Sequence, residues 1–176
     1  FEDGLKEAGF TGDVQYAPAS NTVAEQQNQI SAMITNGAKV IVIGAKDGKQ
    51  LGTQLQQAAD AGVKIIAYDR LIENTKAIDG VVQFGAVRTG ELQGQSLLDG
   101  LAELKGGGPY NIELFGGGPA DPNAPLFFEG AMKVLQPKID DGTLVVKSGQ
   151  TDIAQTATQG WKAENAQSRM DSLMTA

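Results

Sequence analysis

The sequence of 176 residues contains neither cysteine nor histidine. Those two absences exclude thiol nucleophiles, disulfides, imidazole acid–base chemistry and the common zinc and copper sites. No cofactor and no metal is expected. Aromatic residues are scarce at 6%, with a single tryptophan, and basic residues are the minority charge, 14 against 21 acidic, for a net charge of −7. The lysines and arginines are scattered rather than striped along one face, which argues against nucleic acid and anionic membrane as partners. No apolar run approaches the roughly 18–20 residues that span a bilayer. Phe1 opens on an amphipathic pattern without a charged segment and apolar core ahead of it, so a signal peptide, if one existed, is expected to have been removed. An enzyme built without histidine or cysteine would need paired carboxylates, and no two acidic residues converge on a predicted strand end. The chain is therefore expected not to be an enzyme.

What remains is ordinary globular material, 41% apolar and 20% charged, long enough for one sizeable core or two small ones. Leu5 and Ala8 begin a helical pattern that ends at Gly9 and Gly12, and Val14, Tyr16 and the following Ala-Pro read as a short strand. Asn21-Thr-Val-Ala-Glu looks like a capped helix start, with Val23, Ile30, Met33 and Ile34 on one face and Asn36-Gly37 as its stop. Val40–Ile43 is an apolar, β-branched run with the composition of a strand buried on both faces. A helix from about Lys49 to Asp60, a strand from Val63 to Tyr68, a short strand from Val81 to Phe84 and a helix from Thr89 to Leu104 follow. After Lys105-Gly-Gly-Gly-Pro come a strand at 111–115, a helix from about Ala124 to Leu135, a strand at 144–147 and a helix from Ala163 to Met174. This βα alternation predicts doubly wound α/β architecture with parallel sheets and helices on both sides. The glycine run predicts a lobe boundary, giving an N-terminal lobe at 1–105, a crossover at 106–109 and the beginning of a second lobe at 110–176. A first lobe opening on a helix and a second with only two strands read as a fold cut at both ends.

In open α/β sheets ligands gather at the carboxyl ends of the strands, so the residues just after each apolar run are the informative ones. They are Gly44-Ala-Lys-Asp47, Asp69-Arg70, Gly85-Ala86 and the loop Gly116-Gly-Gly-Pro-Ala-Asp-Pro-Asn123. Asp69 beside Arg70 offers a carboxylate acceptor and a forked donor, a combination suited to sugar hydroxyls. Spacing alone equally allows Asp69 as a cap and Arg70 as a solvated charge. Gly116-Gly-Gly lacks the Gly-Lys-Ser/Thr ending of a phosphate loop. Asn123 reads either as a helix cap or as a ligand donor. Trp161 could stack on a pyranose or belong to a core.

Several stretches resemble the periplasmic sugar-binding proteins of the ribose and xylose class, and within it the multiple-sugar, xylose- and glucose-type branch of ABC transporter substrate-binding proteins. They are Val63-Lys-Ile-Ile-Ala-Tyr-Asp-Arg-Leu-Ile, Gly90-Glu-Leu-Gln, Asn111-Ile-Glu-Leu-Phe-Gly-Gly, Asn123-Ala with Gly130-Ala-Met, Leu144-Val-Val-Lys-Ser-Gly-Gln, and Trp161 with Ala166-Gln-Ser-Arg-Met-Asp. The resemblance implies the two-lobed type I periplasmic-binding-protein fold, with a monosaccharide closed between the lobes. It implies Asp69, Arg70, Asn123 and Trp161 as sugar contacts, with Asp47 a weaker candidate. A membrane permease of an ABC transporter follows as partner, with a chemoreceptor or sensor protein as a further one, at the periplasmic or outer membrane face, secreted or lipid-anchored. Family members usually carry Phe-Asp-Asn where this chain has Phe84-Gly85-Ala86, which removes two expected polar contacts. The effector domain of a LacI-type transcriptional repressor shares the fold and is the alternative.

Overall fold

The structure, a computed structural model, describes residues 1–16, 22–105 and 107–175. Its first half runs α1 (Glu2–Glu7), α2 (Val23–Thr35), β1 (Val40–Ile43), α3 (Gly52–Asp60), β2 (Lys64–Tyr68) and β3 (Gly80–Val82). The three strands form one parallel sheet in the order β1-β2-β3, with Ile41 opposite Ile65 and Ala67 opposite Val81. The adjacency and direction expected for the 40–43 and 63–68 strands are thus present. The Thr22 backbone N–H donates to Glu25 Oε2 at 3.0 Å, the reciprocal bond of a capping box that starts α2 where the sequence predicted a start. Asn21, part of that expectation, and the Ala17-Pro18 end of the expected first strand lie outside the described residues; residues 11–16 form no strand.

Strands β1 and β2 are covered on one face among the described residues, while Val81 and Val82 of β3 are both exposed. Ile41, Ile43, Ile65 and Ala67 are buried beneath Ile30 of α2 and Leu55 and Ala58 of α3. The alternate positions stay open, with Val40, Val42, Tyr68 and Val82 all more than a third exposed. The expectation of strands buried on both faces is therefore corrected: an all-apolar run fixes what a strand could bury, while only a second packed layer buries it.

The second half runs α4 (Ala86–Lys105), β4 (Tyr110–Ile112), α5 (Asn123–Asp140), β5 (Leu144–Val146), α6 (Ile153–Thr156), a 3₁₀ turn (Gln159–Trp161) and α7 (Ala163–Thr175). Strands β4 and β5 pair in parallel. Leu114, Leu135 and Leu144 centre a separate core that also takes Leu98 and Leu101 from α4. Helix α4 thus packs with the second lobe, so the change of lobe falls between β3 and α4, at 83–85, and not at 106–109. The reason is steric. A methyl on Gly90 would overlap the Phe127 carbonyl, and one on Gly130 would overlap the Val87 carbonyl, so α4 and α5 cross backbone to backbone. Helix α5 also runs past Pro137, where the sequence predicted an end at Leu135. Proline has no N–H to donate to the Lys133 carbonyl, so the helix continues through Pro137 with one internal bond fewer.

Candidate functional site

Both sheets end their strands toward the junction of the lobes. After β2, Asp69 adopts φ +65°, and the Arg70 N–H donates to the Tyr68 carbonyl at 2.7 Å, closing a three-residue turn. Left-handed backbone is uncommon outside glycine and best tolerated by aspartate and asparagine. The turn leaves the Asp69 side chain exposed and directs Arg70 across the ends of the strands. Arg70 Nη1 donates to the carbonyls of Ala45 and Lys46, just past β1, at 3.3 and 3.2 Å. Its Nε lies 3.1 Å from Asp121 Oδ2 in the second lobe. None of these bonds uses the Nη2 hydrogens.

Gln26 of α2 steadies the same loop. Its amide donates to the Gly44 carbonyl at 2.9 Å and accepts from the Lys46 N–H at 3.0 Å, so it fixes the carbonyls that Arg70 meets.

In the second lobe, β4 leads into the glycine loop at 116–118. Gly116 donates to the Thr156 carbonyl at 2.8 Å and accepts from the Thr158 N–H at 3.0 Å, drawing the segment after α6 alongside it. That segment ends on Gly160 and Trp161, both left-handed, at φ +65° and +57°. For a bulky aromatic this conformation is a true outlier, costing of order 1–3 kcal/mol. It lays the indole on Gly117, where a methyl would overlap the ring. The glycines of this loop therefore make room for an aromatic side chain, not for a phosphate. Trp161 Nε1 donates to Asp121 Oδ2 at 3.0 Å, Phe127 meets the ring edge-on at 6.4 Å, and 47% of the residue stays exposed.

Asn123 is the first residue of α5 and is 4% exposed; Pro122 takes the cap position. Its amide Nδ2 donates across the junction to the Asp69 carbonyl at 2.7 Å. Of the five residues singled out in the sequence, Asp69, Arg70, Asn123 and Trp161 are gathered here. Asp47 follows Lys46, whose carbonyl Arg70 meets, and its carboxylate is engaged in its own turn, accepting from the Lys49 N–H at 2.8 Å and from Gln50 Nε2 at 2.6 Å. The residue that sequence reasoning passed over is Asp121, on which Arg70 and Trp161 converge.

Gly85 precedes α4, and its carbonyl accepts from the Thr89 N–H at 2.9 Å, so it occupies the N-cap position without a capping side chain. The nearest atom to an added Cβ is 3.7 Å away, ordinary contact. Gly85→Asp should therefore raise stability by about 0.5 kcal/mol, through the cap and the helix dipole. A thermal melt checks it; a fall in Tm would remove Gly85 from the cap. A recess of about 240 Å³ beside Trp161 is lined by Phe127, Phe128, Met132 and Leu135 together with the polar side chains of Gln93 and Glu113.

The periplasmic binding protein domain family matches residues 1–176. The chain is 48% identical to the multiple sugar-binding periplasmic receptor ChvE of Rhizobium radiobacter over 98% of its length, and 47% identical to the multiple sugar-binding periplasmic protein SbpA of Azospirillum brasilense over 96%. It spans about half of each, 48% and 46%. An ABC transporter solute-binding protein from Clostridium phytofermentans, with bound β-D-glucose, superposes with a TM-score of 0.89 at 45% identity, covering 99% of this chain and 53% of that one. Parallel βα units in two lobes, strand ends facing their junction and a match along the whole sequence place this chain in the periplasmic binding protein family, with its type I fold.

Proposed function

We propose that this chain is part of the extracytoplasmic substrate-binding component of a carbohydrate ABC transporter and contributes side chains that hold a monosaccharide between two lobes. The observation that carries the reading is the convergence of Arg70 from one lobe with Trp161 from the other at the carboxyl ends of parallel strands. The exposed Asp69 carboxylate supplies acceptors, the Nη2 edge of Arg70 supplies donors, and the half-exposed indole supplies an apolar face for a pyranose ring. Similarity to sugar-binding periplasmic receptors points the same way. The protein releases its sugar unchanged to a membrane permease, on the periplasmic or outer side of the membrane, secreted or lipid-anchored; a chemoreceptor or sensor is a further partner. Gly85-Ala86 bears on which sugar fits, because that strand end presents no side-chain hydrogen bond.

Calorimetric titration of the protein carrying this chain with xylose, glucose, galactose, arabinose and ribose tests the proposal. Saturable binding of at least one, abolished or weakened by Trp161→Ala, is the expected result. A folded protein that gives no saturable heat with any of the five would overturn it.

A further inference from the structure

Asp121 is 6% exposed, and its carboxylate has several donors around it. Oδ1 accepts from the Asn123 backbone N–H at 2.9 Å, and Oδ2 takes the indole N–H of Trp161 at 3.0 Å and lies 3.1 Å from Arg70 Nε. A carboxylate is buried this deeply only when its charge is paired and its lone pairs are used. Each donor is a different part of the same junction. One is the guanidinium whose other nitrogen rests on the loop after β1, one is the stacking ring, and one is the backbone of the residue that bonds Asp69.

We propose that Asp121 is a positioning residue: a single carboxylate sets the orientation of Arg70, Trp161 and the Asn123 turn together and thereby couples the two lobes' contributions to the site. It acts through those three and leaves contact with the ligand to them. The binding consequence rests on the function proposed above; the coupling itself does not. A helix-capping aspartate would hold only the Asn123 N–H. Asp121 also fixes an indole 40 residues further along the chain and a guanidinium in the other lobe, so a change at Arg70 reaches Trp161 through the oxygen they share.

Trp161 is the chain's only tryptophan, so its fluorescence reads this arrangement directly. In the protein carrying this chain, the Trp161 signal is defined as the emission lost in Trp161→Phe. Asp121→Asn keeps the side chain's size but offers one oxygen where two serve now. Its Trp161 emission should shift and become more accessible to acrylamide without any sugar present. Arg70→Gln, which leaves Asp121 in place, should move the same signal from the other lobe. Calorimetry on whichever sugar binds should show Asp121→Asn weakening affinity about ten-fold, the scale of one charge-assisted hydrogen bond, and adding little on top of Arg70→Gln. Unchanged Trp161 emission and quenching in folded Asp121→Asn and in Arg70→Gln would overturn the proposal, as would fully additive losses of affinity. If no sugar binds the unaltered protein, the function proposed above fails, while the fluorescence still decides the coupling.

Discussion

Gly130→Ala should destabilise the second lobe by about 3 kcal/mol, although local preference points the other way. Alanine is the better helix former by about 1 kcal/mol, so an isolated α5 would gain from the change. The crossing with α4 reverses the sign. A methyl at Gly130 lands on the Val87 carbonyl and close to the Glu91 N–H, and one at Gly90 lands on the Phe127 carbonyl. These neighbours are backbone, which cannot swing aside as a side chain end can. Relief requires moving the helices apart, which draws Leu98 and Leu101 away from Leu135 and the strands beneath. Gly100, also on α4, has nothing within 4 Å of an added Cβ, so Gly100→Ala should stabilise by up to about 1 kcal/mol. Urea melts of the two variants give the comparison. A neutral or stabilising Gly130→Ala would mean that the helices are not in backbone contact.

The second large effect is expected at Arg70. Replacing it with alanine leaves the carboxylate of Asp121, whose side chain is 7% exposed, without its cationic partner. Removing one member of a buried pair costs about 3–5 kcal/mol, and because the Arg70 side chain is 26% exposed a figure near 2 is more appropriate here. Sugar affinity should fall by a further 1.5–3 kcal/mol, or about ten- to hundred-fold, the range for hydrogen bonds to a charged group. Arg70→Lys should recover little of either, since an ammonium cannot meet two carbonyls and a carboxylate with the geometry of the fork. Melting curves and calorimetry separate the two losses. Unchanged affinity in Arg70→Ala would confine Arg70 to a structural role.

The parallel strands and their order were legible because the apolar runs are short, β-branched and separated by helical periods. Where strand ends meet, the doubly wound rule was enough to select Asp69 and Arg70. Long-range pairing was not legible. The Asn123 amide bonds a carbonyl 54 residues earlier, and Asp121 meets its indole partner 40 residues later, so neither role leaves a local pattern. Asp121 between Ala120 and Pro122 looks like loop polarity, and only burial distinguishes it. The lobe boundary was misplaced for a different reason. Glycine richness at 105–109 looked like a break, whereas 83–85, where the packing changes, carries no such mark. The better signal was Gly90 and Gly94, four apart in a helix, with Gly130 in another: small residues at that spacing allow two helices to touch. Likewise Asp152 with Gln155 is a capping pair, with Asp152 Oδ1 accepting from the Ala154 N–H at 2.7 Å, and it would have revealed α6.

The passage at 83–85 also has a consequence for cooperativity. The buried apolar side chains on its two sides form separate clusters, one under β1 and β2 and one between α4, α5 and the second sheet. Between them run polar ties, chiefly the pairing of Arg70 with Asp121 and the Asn123 bond to Asp69. Directional bonds of this kind break one at a time, whereas a shared core melts as a unit. Loss of the second cluster therefore need not carry the first with it, and the helix crossing at Gly90 and Gly130 governs the persistence of only one of the two.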